Sequence, residues 1–520
     1  MAKRVVRLSE RQLFNSYTVL FGTETAAAIL RDEGLPPTER QFPPLGGDIG
    51  VSEALLDEYD RLAQAAGAYV SRNAAVLTDC GATPTDKRCV QEFLLTFAER
   101  AFRHPLDTEE QSALTGQLWS DLAAAGATLT EALGYGVYAV LSSPSFVYRT
   151  ELGADPSADG RLEPHELASA LSLFLTDSPP DSELLAAAKQ NRLGTRAEVR
   201  AQAKRLLAKP EARENLERAL IQYFSLGDAP GVVLNADVTP GLTVTAGLQA
   251  SIFHEGELFF RNQLWSGALD ELLTSRRTWT TAAIATQIYG VAAPEVIDGD
   301  GFGVVELPPD RAGLLTLSTF LLAGARSTGS SPVSRGLAVN RAIVCEVNPP
   351  FPADPAVSTA IAALASESEL EKAEYRAANP QCSACHARFD AFGMVLESYD
   401  AIGRFRSVDL AGRPIDTSWT TVTLPPSVGG VTVTSAADTA RAFVQARALD
   451  RCLAMNFINY ALGEISRGGA NNLDTSRGPQ TASCAVESVL DAFSMTDRSF
   501  ASLMSEIAAS DALMLRSKGQ

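Results

Sequence analysis

The 520-residue chain has little positive charge to spare: Lys and Arg number 44 against 62 Asp and Glu, a net −18. Nothing in it builds the basic stripe that phosphate backbones require, which excludes a nucleic-acid-binding class. Long apolar runs are also missing. The most apolar stretch, Gly313 to Ala325 (GLLTLSTFLLAGA), is 13 residues long and interrupted by Thr316, Ser318 and Thr319. A membrane span needs about 20 apolar residues, so this stretch is expected to be a buried core helix. The start, MAKRVVRLSERQLFNSY, has charges with no apolar segment behind them, so no secretory leader is read there. There is no internal repeat, no G-x-S-x-G, no H-E-x-x-H and no P-loop; Thr328 to Ser331 and the Gly301/Gly303 region read as loop punctuation. Histidine is scarce, at four residues.

What remains is ordinary for a globular chain, with 46% hydrophobic and 20% charged residues and length for several cores. The dominant period is helical. Residues 8–20, 89–103, 108–125, 129–142, 164–175, 195–208 and 210–225 place apolar side chains at helical spacing. Pro164 and Pro210 are set to open helices, and Thr108 precedes Glu109 and Glu110. A second helical block is expected over 246–290, a loop over 291–308, and a third block over 309–346. Residues 404–436 instead alternate and are rich in Val and Thr, which predicts two or three short strands with a turn at Gly412 and Pro414. Helices resume from 437. The fold class is therefore mainly α and multi-domain, with a small β insertion. The divisions expected are a helical segment 1–78, a helical domain 79–150, a central helical domain 151–308, a domain 309–436 and a C-terminal helical domain 437–520.

Seven cysteines carry the redox argument. Cys80 and Cys89 bracket a turn-rich loop, and Cys452 and Cys484 each enter an apolar-periodic segment on either side of a Gly/Asn/Ser-rich connection. Both pairs are disulfide candidates, and disulfides belong in an oxidising compartment; four buried thiols are the bland alternative. Cys345 is left as the odd thiol, buried or linked to a partner.

Cys382-Ser383-Ala384-Cys385-His386 is the sharp signal, because C-x-x-C-H is the c-type haem attachment pattern. Two thiols one helical turn apart reach two vinyl groups of one porphyrin, and the imidazole that follows lies under the iron as proximal ligand. Three other readings of the motif stand beside this one. A thioredoxin-like site needs a preceding strand in a βαβ unit. A structural zinc site needs four ligands, and no second Cys/His pair is present. A plain Cys382–Cys385 disulfide is the third.

Around this motif, long segments resemble a known family. RLSERQLFNSYTVLFG, FLLTFAERAFRHPLDTEE, AVLSSPSFVYRTELG with LEPHELASALSLFLTDSPPDSELLAAA, RAGLLTLSTFLLAGARSTGSSPVSRGLAVNRAIVCEVNPPFP, NPQCSACHARFDAFGMVLESYDAIGRFR and CLAMNFINYALGE run in its order. The chain looks like the large c-type-cytochrome-like proteins of planctomycetes and myxobacteria, built from adjoining domains of unknown function. The resemblance implies an extracytoplasmic, periplasmic or surface location with a trimmed leader, a lipid anchor in the full-length form, and one covalent haem c. It implies no substrate.

The distal side of that haem has three candidate ligands, Met394, Met455 and His254, against an open position. His104 and His165 read as structural. Arg404 and Arg406 are candidates for pairing with the haem propionates. Tyr399 and Asp400 are placed at a polar lid or a helix cap, and Arg335 at a helix start. The expected function is a mono-haem electron-transfer or oxidoreductase protein with a redox partner protein. The alternatives are a helical carbohydrate- or protein-binding scaffold, and a haem peroxidase with an open distal site.

Overall fold

Start signals written into the sequence open many of the helices. Asp107, Thr128, Thr195 and Ser368 each accept a backbone N–H with the side chain, and Glu110, Glu131, Glu198 and Glu371, three residues on, reach back to close a reciprocal cap. Pro164 and Pro210 stand at the first positions of Pro164–Thr176 and Pro210–Tyr223, where a missing N–H costs nothing. The computed structural model describes residues 3–32, 53–81, 83–155, 157–346, 359, 362–364, 367–417, 420–423, 430–463 and 479–517. It is mainly α, with short two-stranded sheets, as expected. By contacts it divides into two units: the described parts of 1–216, 457–465 and 504–520, and those of 217–456 and 466–503.

In the first unit, helices Glu10–Phe21, Glu53–Arg72, Lys87–Phe102 and Leu129–Leu141 bury one apolar face each around Tyr17, Val70, Leu94, Phe97, Val137 and Phe146. The expected helix over 108–125 forms with one wide π turn, Ala113–Gln117, between Thr108–Ser112 and Leu118–Ala124. Two strand pairs had no counterpart in the sequence reading. Arg4–Arg7 lies antiparallel to Tyr148–Glu151, with Arg4 opposite Glu151, and Gly160–Arg161 pairs with Leu515–Arg516. They gather Arg4, Arg149 and Arg516 around the carboxylate of Glu151. Arg103, buried at positive φ, donates to the carbonyls of Ala101, Ser145, Phe146 and Tyr148 and so fastens the end of one helix to the start of that strand. The Cys80–Cys89 disulfide is present, with Cα atoms 5.8 Å apart.

In the second unit, the stretch expected as one core helix is buried from Gly313 to Leu322 but breaks at Leu317. A 3₁₀ turn, Gly313–Thr316, precedes helix Ser318–Ala323. The expected loop 291–308 contains a strand, Phe302–Glu306, which pairs with Arg277–Thr281; its local alternation is too short to be seen without its partner. The β insertion is there: Thr420–Thr423 pairs with Gly430–Val433, and single bridges join Tyr399 to Phe405 and Val408 to Pro414 around the Gly412 turn.

The second expected disulfide is corrected. Cys452 pairs with Cys345, not with Cys484, and the Cα atoms lie 5.3 Å apart. Cys345 sits at φ +61, just past the π turn Asn340–Val344, which turns it toward Cys452 on helix Ala448–Leu462. Cys484 is exposed and unpaired. Connectivity is a tertiary fact that spacing does not encode. No helix among the described residues is long and apolar enough to cross a membrane.

Candidate functional site

Three short helices in the second unit assemble the C-x-x-C-H region. Glu369–Ala378 ends at Asn379, whose side chain accepts the Gln381 N–H and starts Pro380–His386. The backbone N–H groups of Cys382 and Ser383 both return to the Asn379 carbonyl, so Cys382 lies in the first turn and Cys385 and His386 in the next. Cys382 is buried, Cys385 half-buried, and neither forms a disulfide. The helix then gives way to a turn over 387–389, and a new helix starts at Asp390–Met394.

That turn aims Asp390 back at the motif. Its Oδ1 lies 2.8 Å from His386 Nδ1, and its Oδ2 accepts from Arg376 Nε at 2.7 Å. Asp390 is 4% exposed and Arg376 8%, so a buried carboxylate is shared between a guanidinium and an imidazole. The Phe389 ring packs against the imidazole at 4.9 Å between centroids. With Nδ1 donating to Asp390, Nε2 is the lone-pair nitrogen, which is the arrangement of a metal-ligating histidine backed by a carboxylate. Arg376 Nη2 is a buried donor left without a partner among the described residues. Two unpaired thiols, one oriented imidazole and an unused buried donor fit a covalently attached haem. Sequence reasoning passed over both Asp390 and Arg376. The spacing from His386 to Asp390, four residues, was the available signal; Arg376 had none.

Two glycines set how near Asp390 comes. A Cβ on Gly393 would stand 1.8 Å from the Pro332 carbonyl oxygen, and one on Gly336 2.2 Å from that of Phe389. Helices Pro332–Val339 and Asp390–Met394 therefore touch backbone to backbone. Gly393 provides this close approach, and the turn that separates the two short helices lies at 387–389, ahead of Asp390–Met394. Arg335 reinforces the same joint. It is fully buried and donates to the carbonyls of Leu321, Leu396, Tyr399 and Asp400, a larger part than the helix-start role read from sequence. Burial pushes its pKa down to about 10.

The other candidates are placed as follows. Arg404 binds the Asp400 carboxylate at 2.7 Å and the Pro240 carbonyl at 2.9 Å. Arg406 pairs with Glu397 and takes the Ser330 hydroxyl oxygen at 2.7 Å. Each guanidinium thus already holds a buried carboxylate, and a propionate would compete with it. Met394 is buried and lines a cleft of about 290 Å³ together with Glu397, Arg406, Lys372 and Arg413. In that cleft wall burial raises the pKa of Glu397, against Arg406 and Arg335. Met455 is half-buried on the helix that carries Cys452. His254 is held by Glu257 at 2.7 Å and by the edge of Phe302. His104 Nδ1 lies 2.9 Å from the Pro105 carbonyl, and burial lowers the pKa of His165. Tyr399 donates to the Asp310 carbonyl, and its ring and that of Tyr289 flank the Arg311 guanidinium at 4.7 and 4.6 Å. Among the described residues no group of three or more His, Cys, Asp or Glu is arranged to hold a metal ion.

Three family models match the chain in series. PSD5, a protein of unknown function (DUF1595), matches residues 89–151; PSD4 (DUF1592), likewise of unknown function, matches 162–291; and PSCyt3 (DUF1588), of unknown function too, matches 311–409. Together they span more than half of the 520 residues, and the last spans the C-x-x-C-H segment. No curated protein and no solved structure gives a significant match.

Proposed function

Because the chain belongs to the planctomycete cytochrome-like family, whose adjoining DUF1595, DUF1592 and DUF1588 domains it carries, we propose that it is an extracytoplasmic mono-haem c-type protein of electron transfer or oxidoreductase chemistry. Cys382 and Cys385 supply the two thioether sulfurs, and His386 supplies the proximal nitrogen. The observation that carries this reading is the His386–Asp390 hydrogen bond beside two unpaired thiols. It spends Nδ1 and leaves Nε2, the nitrogen an axial ligand needs. The bound group would supply one-electron exchange between ferrous and ferric iron.

The residues of this chain do the rest. The Pro380–His386 helix holds both sulfurs and the imidazole on adjacent turns, and Phe389 fixes the ring plane. Two disulfides are in keeping with folding in an oxidising compartment, which supports the periplasm or cell surface as the site of action. A redox partner protein completes the circuit.

The test is a pyridine haemochrome spectrum on protein exported into the periplasm of a host with haem-attachment machinery, beside a Cys382→Ala/Cys385→Ala control. A c-type band that vanishes in the control is expected. A folded, exported, colourless protein overturns the reading. Carbon monoxide added to the reduced protein then separates an open distal position, which binds it at once, from ligation by Met394, Met455 or His254.

A further inference from the structure

We propose that Asp390, braced by Arg376, is a positioning residue that gives His386 anionic character and so holds the haem at a low reduction potential, resting ferric. The inference deepens the haem reading above and rests on it.

The geometry is specific. Asp390 accepts from His386 with one oxygen at 2.8 Å and from Arg376 with the other at 2.7 Å, so each oxygen has one donor and a defined direction. Three successive helices contribute one member each: Arg376 from Glu369–Ala378, His386 from Pro380–His386, and Asp390 from Asp390–Met394. The carboxylate cannot back away, because its helix is pressed onto Pro332–Val339 through Gly393 and Gly336.

The chemistry follows from what stands behind the imidazole. A neutral backbone carbonyl accepting from Nδ1 would orient the ring and do little more. A buried carboxylate makes a charge-assisted bond, shorter and stronger, and raises the basicity of the other nitrogen. A more basic, partly anionic ligand favours the higher charge on iron. Arg376 opposes this pull: its guanidinium compensates the buried carboxylate and draws charge away from the His386 side. The two residues therefore act on the potential with opposite signs. A purely architectural trio has no reason to do so.

The experiment is a spectroelectrochemical titration of the exported, haem-loaded protein and of Asp390→Asn, Asp390→Glu and Arg376→Gln. Asp390→Asn is expected to shift the ferrous/ferric ratio at fixed poise tenfold or more toward ferrous, a rise of about 59 mV for a one-electron couple. Its ferrous iron–histidine stretch should move to lower frequency in resonance Raman spectra. Asp390→Glu, which keeps a carboxylate, is expected to stay close to the wild-type potential, and Arg376→Gln moves the potential the other way from Asp390→Asn by a smaller amount. A readout independent of haem is nitrogen–proton NMR of the haem-free chain, where the His386 proton is expected on Nδ1. A c-type spectrum in which the ferrous/ferric ratio at fixed poise stays within twofold of wild type, or in which the potential moves in the same direction in Asp390→Asn and Arg376→Gln, overturns the inference and leaves the haem reading intact. A His386 proton found on Nε2 overturns the inference and takes away the hydrogen bond that carries the haem reading. Absence of covalent haem in the wild type overturns both.

Discussion

Two buried carboxylates in this protein are handled in opposite ways. Glu151, in the first unit, is fully buried and faces three guanidinia: Arg4 at 2.8 Å, Arg516 at 2.7 Å, and Arg149. Burial alone would raise its pKa, but Arg149, Arg516 and Arg4 outweigh that and bring it to about 2. Every partner is permanently charged and directed at the carboxylate, so the cluster is a knot. Asp390, in the second unit, has one guanidinium and one imidazole, and the imidazole has a second nitrogen to offer. Burial and ion pairing are common to both. What separates a fastening from a chemical site is whether any coordinating atom remains uncommitted.

Untying the knot should have the largest effect. Glu151→Ala leaves Arg149 and Arg516 buried without a counter-charge, and a loss of about 3–5 kcal/mol is expected in urea unfolding followed in the first unit. The second unit is closed covalently instead, by Cys345–Cys452 across 107 residues. Cys345→Ser/Cys452→Ser should cost about 2–4 kcal/mol there. Cys80–Cys89 closes only 9 residues and should cost less when removed.

Acid sharpens the contrast. Glu151 stabilises the first unit fully above its unfolded value near 4.5, and that contribution is lost as pH falls from about 4.5 to about 2. Glu255 in the second unit runs the other way. Burial raises it to about 7, against the Tyr289 and Thr278 hydroxyls that donate to it. Its contribution is complete below about 4.5 and is lost as pH rises from about 4.5 to about 7. Hydrogen exchange measured per unit should therefore show the first unit loosening in acid, while Glu255→Gln flattens the second unit's profile between about pH 4.5 and 7. The smallest effect belongs to Cys484→Ser, expected within about 0.5 kcal/mol by thermal melting, because that thiol is exposed and unpaired.

The sequence made the helices legible because each carries its own evidence, namely a 3.6-residue stripe and a cap such as Thr195 answered by Glu198. The strands Arg4–Arg7 and Tyr148–Glu151 were not, since four residues show little alternation and the partner lies some 140 residues away. Cys345 illustrates the same limit: its pairing depends on a left-handed residue after a π turn, and neither feature has a sequence signature. At the candidate site, Cys382, Cys385 and His386 were readable as a motif. Asp390 was half readable, at helical spacing from His386 though across the turn between two helices, and Arg376 became visible only once two helices had folded against each other. Arg404 and Arg406 show the converse error, in which a plausible residue type was assigned a task before its neighbours Asp400 and Glu397 were known.

The Cys345–Cys452 bond has a consequence for how the protein is made. The ring it closes contains Cys382, Cys385 and His386, so on the proposed function the sulfurs destined for thioether bonds mature inside a loop tied by two other sulfurs. The compartment that oxidises one pair must keep the other reduced. Cys452 is fully buried beside Tyr223 and Asn456, which shields its sulfur from an attacking thiolate, and half-buried Cys345 is the more accessible side of the bridge. Early closure reduces the sorting among the second unit's five cysteines to the motif pair and Cys484, and exposed Cys484 is the remaining thiol able to intercept them.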